Sequence, residues 1–460
     1  MFKLKKLALV SLLALAGCTS LEPEYQRPEM PVPQYFSVTR NALVESDSIT
    51  TPGWQTFFVS PSLKQVISLS LVHNSDLKTA SLKVAQAAAQ YNLTDSERYP
   101  QLTGSTDANY SGGFRNPSTT ERKYSIGMGL SLELDFFGRL KNMSEAEQQR
   151  FFASEQAQRA AHILVVSGVA QSYLNRSRAE QQLTIARQTL QNYQRSYQFM
   201  EQRARMGNST LLALEQARGQ TETARTDIAK REGELAQANH ALQLIVGQYT
   251  LPKDATLSTE KVTEIVKLPA NLSSDILLQR PDIIEAEHLL IADNADIGAA
   301  RAAFFPSVSL TGNISGNSTN ITNLFDAANG LWNFMPKIEL PIFNGGKNRA
   351  NLSLAEIRQQ MSVVNYEQKI QTAFKEVADA LSLRATIAVQ IEAQRRYLNS
   401  LRITQHRANV LYGNGAVSFI EILDTERALF SAQQALVDLE FDQQLNEITL
   451  FAALGGGWIE

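Results

Sequence analysis

Tyr124-Ser125-Ile126-Gly127-Met128-Gly129-Leu130-Ser131-Leu132-Glu133-Leu134-Asp135-Phe136 decides the fold. Large apolar side chains take every second position over these thirteen residues, and Ser, Gly, Glu and Asp fill the places between. A period of two is that of a strand, whose side chains point alternately to opposite faces. At about 3.3 Å per residue the strand is about 40 Å long. Such a strand suits a sandwich, with one face in a core, or a transmembrane barrel, apolar side to lipid and polar side to water. The small and acidic polar set fits a water-filled lumen. Aromatic residues near strand ends (Tyr124, Phe136 and, in a later strand, Trp332) fit an interfacial girdle.

The later strand repeats the pattern. Trp332, Phe334, Ile338, Leu340 and Ile342 are opposed by Asn333, Lys337 and Glu339, with Pro336 and Pro341 expected to interrupt it. Partner strands start at Gln101 and Ser307, and the turns, about 113–122 and 316–330, are rich in Ser, Asn, Thr and Gly. The expected strands are therefore about 101–113, 124–137, 307–316 and 331–343. A membrane barrel cannot leave an open edge, because unpaired backbone groups are costly in hydrocarbon. Known barrels have at least eight strands. Four per chain means a barrel shared among chains, unless the strands form an isolated sheet against a helical domain.

The two strand pairs belong to an internal duplication. A shift of 206 residues lays Asn74-Ser75-Asp76-Leu77 on Arg280-Pro281-Asp282-Ile283 and Tyr99-Pro100-Gln101-Leu102 on Phe305-Pro306-Ser307-Val308. The same shift lays Glu133-Leu134-Asp135-Phe136-Phe137 on Glu339-Leu340-Pro341-Ile342-Phe343 and Lys141-Asn142 on Lys347-Asn348. After a two-residue slip, Val169-Ala170-Gln171 meets Val377-Ala378-Asp379 and Gly247 meets Gly455.

Each repeat reads helix, strand, strand, helix, helix. Helices are expected over Leu71 to Glu97 and Leu278 to Phe304, each stopping before a proline. Long helices follow over Met143 to Met206, Leu352 to Leu411 and Phe419 to Leu454, with breaks at Gly207-Asn208-Ser209 and Gly413-Asn414-Gly415. Leu183, Ala186, Leu190, Tyr193, Tyr197, Met200 and Ala204 are spaced three and four apart. Leu214, Ala217, Thr221, Ala224 and Ile228, then Leu235, Ala238, Leu242 and Ile245, continue the spacing, with Arg231 the odd member. Seven-residue spacing means coiled-coil packing. Periodicity alone does not choose between a solid stalk and a ring around an aqueous channel.

Composition narrows the function. The 460 residues carry a net charge of −3, so no basic face points to nucleic acid. One cysteine excludes a disulfide framework and a Cys-type zinc site. The five histidines form no metal motif, and neither a Walker loop nor G-x-S-x-G is present. No catalytic residue, cofactor or metal site is assigned. Met128, Met335 and the other methionines make no cluster and read as packing. Gly455-Gly456-Gly457 reads as a helix C-cap.

Lys3, Lys5 and Lys6 precede an apolar run from Leu7 to Ala16, too short to span a membrane and suited to a signal peptide. The run ends in Leu15-Ala16-Gly17-Cys18, which resembles a bacterial lipobox and implies cleavage before a lipidated Cys18. Thr19 favours the outer membrane. Removing 1–17 takes away three lysines and leaves a charge near −6. Four prolines between Glu22 and Tyr35 then read as an extended linker.

Certain runs carry a family resemblance. They are Pro23-Glu24-Tyr25-Gln26-Arg27-Pro28, Trp54-Gln55-Thr56-Phe57-Phe58, Leu134-Asp135-Phe136-Phe137-Gly138-Arg139, Leu278-Gln279-Arg280-Pro281-Asp282-Ile283, Ala300-Arg301-Ala302-Ala303-Phe304-Phe305-Pro306-Ser307 and Leu454-Gly455-Gly456-Gly457-Trp458. The chain resembles the outer membrane factors, TolC-type channels, in the lipoprotein branch found with RND efflux pumps. The run from Phe137 to Ala146 is similar to the channels of copper/silver cation efflux systems.

The resemblance implies a fold of mixed α and transmembrane β. Four strands per chain enter a shared trimeric β-barrel, which a long periplasmic α-helical barrel continues. It implies a homotrimer in the outer membrane that works with a periplasmic membrane-fusion adaptor and an inner-membrane RND pump. The channel would be a passive duct for metal cations or drugs, carrying no cofactor beyond the covalent lipid on Cys18. The family's closed end falls here on Tyr412, Val417, Glu421 and Asp424, facing Leu212 and Ala213. Glu421 and Asp424 would form an acidic ring that attracts cations; as acids at a helix start they also suit the helix dipole. A basic residue often found beside the tyrosine is absent, since Val417 stands there.

The expected organisation is signal peptide 1–17, lipid-anchored segment 18–60, first repeat 61–255, connector 256–270, second repeat 271–455 and tail 456–460. Two other readings stay open: a structural lipoprotein tether with a coiled-coil stalk, and a type I protein-secretion duct.

Overall fold

A computed structural model describes residues 20–36, 53–114, 116–250, 262–263, 272–326 and 330–456, with backbone alone at 116–120. Cys18, the signal peptide and most of the connector lie outside the described residues. A turn of helix at Trp54–Phe57 leads into α1 (Pro61–His73), α2 (Ser75–Ser96), β1 (Gln101–Gly113), β2 (Asn116–Leu134), α3 (Arg139–Arg205) and α4 (Leu211–Val246). The order then repeats as α5 (Pro281–Ala302), β3 (Ser307–Ser318), β4 (Gly330–Glu339), α6 (Lys347–Gly413) and α7 (Phe419–Ala453).

The duplication extends to element lengths. α2 and α5 have 22 residues each and start 206 positions apart. α3 and α6 have 67 each and start 208 apart. The two-residue slip therefore precedes the long helices, and Arg139, not Lys141, stands opposite Lys347. Helix-ending glycines recur at the same offset: Gly207 and Gly415 at φ 75° and 73°, Gly247 and Gly455 at φ 76° and 78°. A left-handed residue is what a helix needs to turn its chain away, and glycine adopts it without strain.

Element ends differ from the sequence reading where a side chain outweighs periodicity. The first helix breaks at Asn74, whose Oδ1 accepts from the Leu77 amide at 2.9 Å while its Nδ2 donates to the Ile245 carbonyl at 2.7 Å. β2 begins at Asn116 rather than 124, because Lys123, Arg122 and Glu121 keep pairing with Asn109, Tyr110 and Ser111 after the apolar alternation stops. It ends at Leu134 rather than 137. Asp135 turns away to accept from the Lys141 amide at 2.7 Å, and Gly138 takes φ 72°. Pro336 does not interrupt β4, which runs unbroken to Glu339; β4 is an outer strand of this sheet, one of the settings that tolerates a missing N–H.

Two compact units share these elements. One comprises residues up to Met30 with Leu82–Gln156 and Asp282–Lys369. It holds the antiparallel sheet, in the order β1-β2-β3-β4. In it the segment after residue 19 lies along α5. Arg27 grips Glu287 with two bonds of 2.7 and 2.9 Å, Asn294 Nδ2 donates to the Pro23 carbonyl at 2.7 Å, and Ser20 Oγ donates to Asn142 at 2.8 Å. Gly298 lets this strap approach: a Cβ there would stand 2.9 Å from Glu22 Cα.

The other unit comprises Pro31–Ser81, Ala157–Pro281 and Ile370–Glu460. Phe57 stacks on Phe451 at 4.0 Å between centroids, with Phe58 edge-on to both. Burying each such ring contributes roughly 1.5–3 kcal/mol. Arg280 is buried and closes α7, donating to the Ala453 carbonyl at 2.8 Å and to Glu376 at 2.9 Å. The heptad positions Leu183, Ala186, Tyr193, Met200, Ala217, Thr221, Ala224 and Leu242 are all buried. Arg231 interrupts them with a polar layer. Its guanidinium donates to Gln182 at 2.7 Å and Glu234 at 3.0 Å, while Gln182 donates to Asp438 of α7 at 2.8 Å. One polar layer in an apolar seam fixes the register of the helices.

Candidate functional site

The sheet register sorts every strand residue onto one of two faces. Leu102, Leu130, Gly312 and Phe334 form one cross-strand row, and Gly104, Met128, Ile314 and Trp332 the next. Leu132 with Leu310, and Leu134 with Val308 and Ile338, extend this apolar face. The opposite face carries the rows Thr103-Gly129-Asn313-Asn333, Gln101-Ser131-Thr311-Met335 and Asp107-Ser125-Asn317. Fixed charges stand at both ends of this face: Arg139 grips Glu133 and Lys337 pairs with Glu339 at the α3 end, and Asp107, Lys123 and Glu121 lie toward the other. Glycine keeps this face shallow, since a Cβ on Gly127 would meet Ser315 at 3.1 Å.

Among the described residues only the β3–β4 connection lies over this apolar face, at its far end, where Leu324 is buried beside Ile126 and Gly316. Trp332 is 81% exposed, Ile338 72% and Ile314 71%. A continuous exposed patch of such side chains is untenable in water and marks a surface made for another apolar phase. Among the described residues the outer strands β1 and β4 each leave one edge of N–H and C=O groups without a partner strand. No helix among the described residues is long and apolar enough to cross a membrane.

The other candidate region is the pair of helix turns between α3 and α4 and between α6 and α7. Met200, Ala217, Phe419, Ile422 and Leu423 form a buried cluster, with Tyr197, Ala213, Leu214, Ala408 and Tyr412 packed on it. Tyr412 donates to the Met200 sulfur at 3.2 Å and its ring leans on Phe419. Of the residues singled out from sequence, Tyr412 and Ala213 are thus brought together, Val417 is half-buried, and Leu212 stays exposed outside the cluster. Glu421 and Asp424 are exposed on the first turns of α7. Asp424 pairs with Arg427 at 3.1 Å, and Arg427 also donates to Gln220 of α4.

Val417 stands where the resemblance often places a basic residue, but a basic group reaches the tyrosine from another helix. The Arg203 guanidinium, from the last turn of α3, lies 5.2 Å from the Tyr412 ring centre, within cation–π range. Spacing along the chain gave no sign of it, because the partners are more than two hundred residues apart. The sequence reading also passed over Glu426. It is 7% exposed, with Oε1 accepting from Ser196 at 3.3 Å and Oε2 unpartnered. Burial pushes its carboxyl up to about 7, the Ser196 bond only partly opposing this. An acid inside a heptad seam was the signal that could have found it.

Among the described residues no group of three or more His, Cys, Asp or Glu gathers to hold a metal ion. Met335 is on the polar face of the sheet and Met128 on the apolar one.

Comparison with known proteins adds an independent line. The family of outer membrane efflux proteins matches residues 66–248 and 272–456, one match per repeat. The chain is 57% identical to the probable outer membrane lipoprotein SilC of Salmonella typhimurium, covering all of both sequences. It is 60% identical to the cation efflux system protein CusC of Escherichia coli K12, covering 97% of each. A crystal structure of CusC superposes with a TM-score of 0.88 at 59% identity, over 95% of this chain and all of that one.

Proposed function

The chain belongs to the outer membrane efflux protein family, and from that membership we propose that it is the outer-membrane channel subunit of a tripartite RND pump, a passive duct that carries copper and silver cations out of the periplasm. The two-faced sheet with open edges carries the reading. An exposed apolar face suits lipid, a face of Ser, Thr, Asn and Gly suits water, and unpaired edges require neighbours. Three copies supply twelve strands, and a homotrimer is the assembly we assign. A periplasmic adaptor and an inner-membrane pump supply coupling and energy, since nothing in the duct does.

Cys18 carries the covalent lipid and no other cofactor is invoked. Ser20 beside Gly138 and Asn142, just past the end of β2, supports an anchor next to the strand ends. Residues 1–17 are the signal peptide, 18–60 the anchored segment, and 61–255 and 271–455 the repeats about a connector at 256–270. The turn residues Tyr412, Val417, Glu421, Asp424 and Ala213 form the periplasmic gate, with Leu212 at its exposed rim. The polar sheet face argues against a mere tether, which needs no water-facing strands.

Growth of a deletion strain expressing the pump and adaptor, on silver and copper salts beside dyes and antibiotics, tests the cargo. Loss of metal tolerance alone supports cation efflux, whereas sensitivity to drugs alone would replace the cargo and keep the duct. Cys18→Ala should fold yet lose palmitate labelling; retained label would overturn the anchor.

A further inference from the structure

Two turns into α7, beyond the cluster of Phe419, Ile422 and Leu423, the seam between α3 and α7 holds an acid where a heptad calls for an apolar side chain. Glu426 faces inward with the cluster, and one of its oxygens has neither a hydrogen-bond partner nor water access. Among the described residues its side chain has one bond, the long one from Ser196 of α3. A charge in that position is an uncompensated buried ion, whereas a neutral acid is merely an underused polar group.

The titratable groups around it do not supply a countercharge. From α3 comes the buried phenol of Tyr193, itself pushed up to about 12 by burial and by Glu426. Neighbouring Arg427 turns outward to Asp424 and to Gln220 of α4. Glu421 lies out on the exposed first turn. α4 presents Ala217 and Leu214 to the adjoining cluster, and Asp227 further along; α6 presents Ala408 and Tyr412. Tyr193, Gln220, Asp227 and Arg427 line a cavity of about 240 Å³ next to the seam, and Glu426 itself does not line it.

We propose that Glu426 is a proton-operated latch on the first turns of α7: uncharged, it lets them seal against α3 and α4, and ionised, it loosens them. The inference rests on reading the α6–α7 turn as the closing end of the duct, because Tyr412, Val417, Glu421 and Asp424 ride on the segment that would loosen.

The sign follows from linkage. The packed carboxyl titrates near 7 and the released one near 4.5. Rising pH therefore favours release between those values and changes nothing further above them. The opening constant of the segment should rise on the order of thirtyfold from pH 5 to pH 7.

Amide hydrogen exchange on the purified full chain, corrected for intrinsic rates, reads this directly in peptides covering 419–430. Expected is a fall in protection of that size, with peptides from 157–180 unaffected. Glu426→Gln should be flat and slow throughout. Ser196→Ala, which removes the one bond favouring the charged form, should move the plateau to higher pH; a merely structural role would not shift it. Flat protection in the native chain, or an unchanged pH slope in Glu426→Gln, would overturn the latch. Absence of conductance in planar bilayers would instead overturn the duct reading, because exchange is read without it.

Discussion

Gly247 is the residue at which the fold tolerates least. It ends α4 at φ 76°, and a Cβ there would stand 2.6 Å from the His73 carbonyl oxygen. Both faults concern backbone, so neither relaxes by a rotamer change. Gly247→Ala should cost roughly 2–4 kcal/mol, seen as a lowered thermal midpoint, whereas Gly219→Ala, in open space on the same helix, should be neutral or mildly stabilising. Equal midpoints for the two variants would refute the argument. This glycine was legible from its match with Gly455. Arg203 beside Tyr412 was not, because a cation–π pair between two helices leaves no trace in either one's periodicity. Glu426 was visible as a letter but silent as a chemistry: only packing reveals that no cation answers it.

At the level of elements, β2 gives the sharpest test. Ile126 lies on the apolar face and Ser125, one residue away, on the polar one beside Asp107. Ile126→Lys should cost about 2–4 kcal/mol in refolding into lipid vesicles, and Ser125→Lys well under half of that. A similar cost for both would mean that the faces are wrongly assigned. Strand alternation made the faces readable from sequence, because burial of one side imposes a strict period of two. The ends were not readable. Lys123, Arg122 and Glu121 stop the apolar pattern, yet their backbones go on pairing with β1, and hydrogen bonding is indifferent to which side chain it carries. Likewise Arg231 looked like a flaw in a heptad run and proves to be the centre of a polar layer joining α4 to Gln182 of α3, which reaches on to Asp438 of α7.

For the molecule as a whole, the sheet is an unfinished object. Among the described residues β1 and β4 each keep a free edge, and Trp332, Ile338 and Ile314 on one face stand largely exposed. Detergent-purified protein should therefore have the mass of three chains by light scattering. A persistent monomer would remove the basis for a shared barrel. The duplication was readable at this scale because two copies of one plan keep the same element lengths, 22 residues for α2 and α5 and 67 for α3 and α6. The number of copies was not written in any residue; open edges require more than one chain, and the family resemblance implies three.

Those free edges also bear on inheritance. A variant whose β4 cannot pair would not simply be idle in a cell that also makes the normal chain. With the two made equally and mixed at random, roughly one ring in eight would be free of the defective allele. A lesion at the sheet edge should therefore behave as a dominant poison, while loss of the gene stays recessive.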